Sequence, residues 1–216
     1  MRPYFRFPQQ VRGTIPTELK YGYLGFVLIL VPAYTWWYGL VNFLWFSNAA
    51  LLLGLVGVWL ESRRLLSMQL VSILLPELVW IAAFTLGLLR SGAPPLGITD
   101  YMFDPAIPLF IRGLSLFHLL LPFLLLWLVW RLGYDPRAWR YWVPIGWGIL
   151  IAAFLLSTPE QNVNFVYHSE RLALEIPGGL WLLVVLGLST LTWALTHALV
   201  YWFMAHYRRI GDPAYD

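Results

Sequence analysis

Six stretches of this chain are apolar over nearly the length that a membrane-crossing helix requires: about 21–37, 41–60, 65–89, 107–130, 141–157 and 178–204. A helix needs roughly 20 mostly apolar residues to cross the hydrocarbon core. The pattern therefore predicts an all-α, polytopic membrane protein: a bundle of six transmembrane helices in a single domain over residues 1–216. The first two stretches nearly touch, and Trp36-Trp37-Tyr38-Gly39 between them reads as a tight turn at an aromatic belt. The first apolar run reads as a signal anchor, since no small-residue cleavage site follows it.

The polar stretches between the helices carry the charge. Arg2, Arg6, Arg12 and Lys20, then Arg63 and Arg64, then Arg131, Arg137 and Arg140, then Arg208 and Arg209 all fall on one side of a six-helix arrangement. These are 11 of the 14 basic residues, and only Arg90, Arg112 and Arg171 fall on the other side. The positive-inside rule then places both termini in the cytoplasm. Two loops on the opposite, outer side have content. Residues 90–106 are rich in Gly and Pro and read as irregular. Thr158-Pro159-Glu160-Gln161 offers a cap hydroxyl, a first-turn Pro and a reciprocal Gln, so a short surface helix is expected over about 159–173.

Composition narrows the class. Apolar residues make up 60% of the chain and charged residues 12%, against about 45–50% and about 25% in soluble domains. The charge is too sparse to cover a soluble globule. Cysteine is absent, which excludes disulfides, thiolate metal sites and a cysteine nucleophile. No metal or other cofactor is expected. The net charge of +3 reflects the loop asymmetry and does not point to nucleic acid. Membrane lipids are the expected partners, and a helix-mediated oligomer or a partner subunit stays open. The lack of cysteines leans toward a bacterial inner membrane.

Ionisable groups at membrane depth are costly, so each is a functional candidate. Glu77 and His118 stand about 12 and 11 residues in from the outer ends of the third and fourth helices, or about 18 and 16 Å by the helical rise. Ser115, His118 and Pro122 share one helical face. Ser47 and Asn48 lie higher in the second helix. One reading is structural: a Glu77–His118 contact only ties two helices together. The sharper reading is chemical. Serine is a weak nucleophile until an imidazole takes its proton. Ser47 and His118 are then nucleophile and base, with Asn48 and Glu77 orienting the ring or binding the developing oxyanion. Asn42, Ser115, Asn162, Asn164 and Tyr167 are the expected substrate-binding residues near the outer mouth. His197 lies near the inner interface and reads as a headgroup-boundary residue. It differs in depth from His118 by roughly 12 Å, so the two would not share a metal. Gly113-Leu114-Ser115-Leu116 lacks the second glycine that a rhomboid-type protease carries.

Three short stretches resemble the YwaF-type bacterial integral membrane proteins and, more distantly, the androgen-dependent TFPI-regulating proteins and their acyltransferase relatives. They are Phe46-Ser47-Asn48-Ala49-Ala50-Leu51-Leu52, Ser115-Leu116-Phe117-His118 and Asn162-Val163-Asn164-Phe165-Val166-Tyr167. Serine stands at 47 where that group carries Cys or Thr. The resemblance implies hydrolysis or transfer of lipid acyl chains, with Ser47 and His118 as the reacting pair. The expected function is therefore a membrane-embedded lipid hydrolase or acyltransferase. The alternatives are a non-catalytic membrane subunit or lipid- or pigment-binding protein, and a proton-coupled transporter using Glu77.

Overall fold

The computed structural model describes residues 14–90, 92, 94, 97–168 and 176–210, and the described residues are helical with no strand among them. Seven α-helices follow in order: α1 (Thr17–Tyr38), α2 (Phe46–Trp59), α3 (Arg63–Leu89), α4 (Leu109–Leu114), α5 (Phe117–Leu132), α6 (Ala138–Leu156) and α7 (Gly178–Ile210). Four runs are long and apolar enough to cross a membrane: α3, the combined α4–α5 run Leu109–Leu132, α6, and Gly178–His206 of α7.

The second expected span, 41–60, is not one helix. A 3-10 turn covers Leu40–Leu44, Trp45 adopts an extended conformation, and only then does α2 begin. Its 14 residues are apolar but reach only about 21 Å. Gly39, at a φ of 79°, ends α1 in a conformation that L side chains rarely adopt, and the break within 41–60 falls at Trp45. The consequence is that Ser47 sits in the first turn of α2, not in mid-helix.

Two ends of the bundle can be told apart by their contacts. At the arginine end, Lys20 pairs with Glu61 at 2.6 Å, Arg64 with Asp135 at 3.2 Å, and Arg131 donates to the carbonyl of Thr14. The Lys20 ammonium beside Glu61 holds that carboxyl below its usual range, against its partial burial. Burial pushes the Tyr134 phenol up at the same end, and the neighbouring Asp135 adds to it. At the opposite, loop end, the Asn164 side chain joins α2's entry to the 157–168 segment, accepting from Phe46 N and donating to Leu44 O.

α3 is the central helix, packed against α2, α5, α6 and α7. Its residues Leu66 to Ile73 are buried without a break, which is the mark of a helix enclosed on all faces. Leu66, Leu70 and Ile73 meet Leu125 and Leu128 of α5, Leu150 of α6 and Trp193 of α7 in one apolar core. α6 and α7 close against each other at Gly146, where a side chain would overlap the Trp193 ring. Leu155, Leu183, Leu191 and Leu195 are exposed on the opposite faces of those helices, as lipid-facing positions are.

The expected surface helix over 159–173 does not form in its described part, and 169–173 lie outside the described residues. The cap itself is made: Thr158 N donates to Gln161 Oε1 at 3.0 Å and Gln161 N to Thr158 Oγ1 at 3.4 Å. Propagation fails one residue later. Asn162, Asn164 and Phe165 all have positive φ, and only a 3-10 turn over Val163–Phe165 remains. Asparagine tolerates that region because its side chain bonds locally. Asn162 does so, accepting from Tyr167 N and donating to Tyr167 O.

Candidate functional site

The fourth apolar run breaks at Ser115–Leu116, between α4 and α5. Bonds there shorten to the i→i+3 type, from His118 N to Ser115 O and from Leu119 N to Leu116 O. Pro122 follows in α5 and leaves the His118 carbonyl without its helical donor. The tightened turn presents His118 at the start of α5, facing α3.

There it meets Glu77. The His118 Nδ1 lies 2.8 Å from Glu77 Oε2 and 3.0 Å from Oε1. Equal depth in the sequence thus corresponds to direct contact across α3 and α5. The imidazole plane is held by stacking on Trp80 at 4.6 Å and 15°, and on Phe117 at 4.2 Å and 24°. Trp80 is one helical turn beyond Glu77 and stacks in turn on Phe84. Both members of the pair are nearly removed from solvent, with side-chain exposures of 13% for His118 and 5% for Glu77. A carboxylate on Nδ1 fixes which nitrogen is engaged and leaves Nε2 as the remaining ring nitrogen.

The pair forms part of the wall of a cavity of about 1100 Å³. That is ample for part of a lipid, since small-molecule sites typically run about 300–1,000 Å³. Ser47, Asn48 and Asn42 line the same cavity, as do Ser115 and Asn164. Ser189 and Thr192 of α7 complete its polar lining together with Glu160 and Gln161. Among the described residues no hydrogen bond joins Ser47 to His118. The two side chains share the space across which they would act.

Ser47 and Asn48 occupy the second and third positions of α2, where backbone N–H groups have no partner within the helix. Phe46 N is satisfied by Asn164, whereas the amides of Ser47 and Asn48 find no acceptor among the described residues. The Asn48 side chain donates to Asn42 O at 2.8 Å, which commits its amide nitrogen to the 3-10 turn. Its Oδ1 has no partner.

Ser115 is not a free nucleophile. Its Oγ is 2.6 Å from Tyr34 Oη and also reaches the carbonyl of Ile111. Tyr101, from the 3-10 turn Asp100–Met102, reaches into the same cavity wall. Burial pushes its phenol up, next to Tyr34 and Glu77, while the Ser115 hydroxyl and Trp80 indole oppose that rise. At the rim, a hydrogen bond from Thr158 holds the exposed Glu160 carboxyl below its usual range.

Two of the expected binding residues are elsewhere. Asn162 is spent on closing its own loop onto Tyr167. Tyr167 packs on Phe154, and its Oη lies between the carbonyls of Phe154 and Ser157 at 2.6 and 2.9 Å. Neither lines the cavity. Sequence reasoning missed Trp80, Tyr34 and Tyr101. The i+3 spacing from Glu77 was a usable signal for Trp80; Tyr34 lay within the first apolar stretch, two residues before the aromatic turn, and the loop position of Tyr101 carried none.

His197 belongs to a separate cluster at the arginine end. Its Nδ1 is 2.7 Å from Tyr134 Oη, and its ring is stacked on Trp139 and close to Tyr201. No group of three metal-ligating side chains occurs among the described residues.

Comparison with family models, with curated proteins and with solved structures returns no match.

Proposed function

We propose that this chain is a membrane-embedded lipid hydrolase or acyltransferase, with Ser47 as nucleophile and His118 as general base. The carrying observation is the Glu77–His118 pair at 2.8 Å in the wall of a cavity that Ser47 also lines. The proposed setting is a bacterial inner membrane crossed six times, with both termini cytoplasmic and the loop end toward the outer leaflet. A lipid then enters the cavity from the leaflet and brings an ester carbonyl to the first turn of α2.

The chemistry follows from the groups present. Ser47 Oγ attacks the ester carbon, and its proton passes to His118 Nε2, relayed by a cavity water where the two do not touch. The carbonyl π pair moves to oxygen. The unpaired amides of Ser47 and Asn48, at the positive end of α2, receive that oxyanion. Collapse breaks the ester C–O bond, and the Nε2 proton goes to the departing alcohol. Water then attacks the acyl-serine, giving a proton to Nε2; collapse breaks the acyl C–Oγ bond, Nε2 returns the proton to Ser47 Oγ, and a fatty acid is released. A lipid hydroxyl in place of water makes the same step an acyl transfer. Glu77 holds the ring through Nδ1 and offsets its positive charge in the charged state.

Reconstituted protein in vesicles of acyl-labelled lipid tests this reading. Release or transfer of the labelled acyl chain should occur with the wild type and fall at least about 100-fold in Ser47→Ala and in His118→Ala, the scale of losing an activated nucleophile or its base. Equal acyl release by all three proteins would overturn it. The lack of a direct Ser47–His118 bond favours one second reading, a lipid-binding protein without turnover. That reading requires lipid retention without any acyl product.

A further inference from the structure

We propose that the cavity selects lipids whose polar end carries no net negative charge, with Glu160 at its mouth as the residue that turns anionic headgroups away. This rests on the reading of the cavity as a lipid site, and it names the class of lipid admitted.

The charges around the cavity carry the argument. Among its described lining residues the only acidic or basic ones are Glu77, His118 and Glu160. Glu77 and His118 face each other at 2.8 Å, so any positive charge on the imidazole is opposed by the carboxylate. They leave no net positive charge for a phosphate. Glu160 is exposed in the turn that begins at Thr158, so the charge that the described lining residues bring to the mouth is negative. No lysine or arginine is among the described lining residues. Arg112, on the neighbouring α4, directs its guanidinium to the carbonyl of Met102 and does not line the cavity.

A phosphate monoester or diester with no cationic partner would leave water for a wall of uncharged side chains, and burying an unpaired anion is costly. The like charge of Glu160 adds to the cost, and such repulsion is how a site rejects a competitor. A hydroxyl end meets neither penalty. Nor does a quaternary ammonium, for which the aromatic lining residues Tyr34, Tyr38, Trp45 and Tyr101 are the chemically suited partners. The two are sources of the same non-anionic character.

Photo-crosslinking in nanodiscs separates them. Four lipids with the same diazirine-bearing acyl chain are compared on the full-length protein: diacylglycerol, phosphatidylcholine, phosphatidylglycerol and phosphatidic acid. Crosslinks are read only on peptides containing Trp45–Asn48 and Trp80, because the arginine end attracts anionic lipids by itself. Diacylglycerol, phosphatidylcholine or both should exceed each anionic lipid at least about threefold, an effect of the size exposed charges produce. The advantage should shrink in Glu160→Gln and disappear in Glu160→Lys. Anionic lipids matching or exceeding the others, no crosslink on those peptides, or no change in either variant would overturn the proposal. Labelling of Ser47 by an uncharged fluorophosphonate is run in parallel. Labelled Ser47 with an anionic preference removes the selectivity and leaves the enzyme; selective crosslinking without labelling removes the enzyme and leaves the selectivity.

Discussion

His118 and His197 both lie partly buried against aromatic rings in the same bundle, and they are in opposite situations. His197 has its Nδ1 on a phenol, Tyr134, and its ring between Trp139 and Tyr201. It lines no described cavity and has no carboxylate. His118 has its Nδ1 on a carboxylate, and one side of its surroundings is a space of about 1100 Å³ shared with a serine. The difference teaches what distinguishes a polar group that holds helices together from one placed to act. Both are hydrogen-bonded, but only His118 lines the cavity that Ser47 lines.

The largest expected effect breaks the His118 side. Glu77→Leu leaves the imidazole without its partner in a nearly dry setting, and removing one member of a buried pair typically costs about 3–5 kcal/mol. Unfolding in mixed micelles should show that loss, and Glu77→Leu combined with His118→Leu should recover most of it. A double variant as unstable as the single would mean that Glu77 matters for something other than His118.

Asn164→Ala should come next, at about 2 kcal/mol, because it orphans both Phe46 N and Leu44 O at the entry to α2. It should also lower acyl release by loosening the first turn that carries Ser47. Tyr134→Phe should cost about 1 kcal/mol, the worth of one hydrogen bond. Acyl turnover should be untouched, since neither Tyr134 nor His197 lines the cavity shared by Ser47 and His118. A matching loss of activity would erase the contrast between the two histidines.

The smallest effect belongs to the Lys20–Glu61 pair. Lys20→Met should cost less than about 1 kcal/mol at neutral pH, as partly exposed pairs do. Because Lys20 lowers the Glu61 pKa in the folded protein, the pair's contribution is present above the ordinary glutamate value of about 4.3. It is lost as pH falls through the lower folded value. Wild-type and Lys20→Met unfolding curves should therefore differ at pH 7 and converge as the pH falls below the lowered folded value of Glu61.

How much of this was readable beforehand depends on which force sets each feature. The long apolar runs announce themselves because crossing oil is a matter of length and composition, and α3, the α4–α5 run, α6 and α7 follow their hydropathy. The Glu77–His118 contact was approachable for a related reason: two costly groups at one depth have few other partners. The broken second span was hidden because the break at Trp45 is a change of backbone torsion inside an apolar run, and hydropathy is blind to torsion. The 159–173 helix failed for a similar reason. Its cap was read correctly, but three positive-φ residues after it outweigh a good start. The dispersal of Asn162 and Tyr167 into local bonds could not be seen, since a polar residue over a mouth looks the same whether it faces the cavity or its own loop.

The central claim is that Glu77 and His118 make Ser47 reactive. Mapping the adduct of an uncharged fluorophosphonate by peptide mass spectrometry tests it most directly. The account predicts a phosphonylated Ser47 in the wild type, none in Ser47→Ala, and labelling slowed at least about 100-fold in His118→Ala. An adduct on another residue, or a wild-type rate of Ser47 labelling without His118, would contradict it.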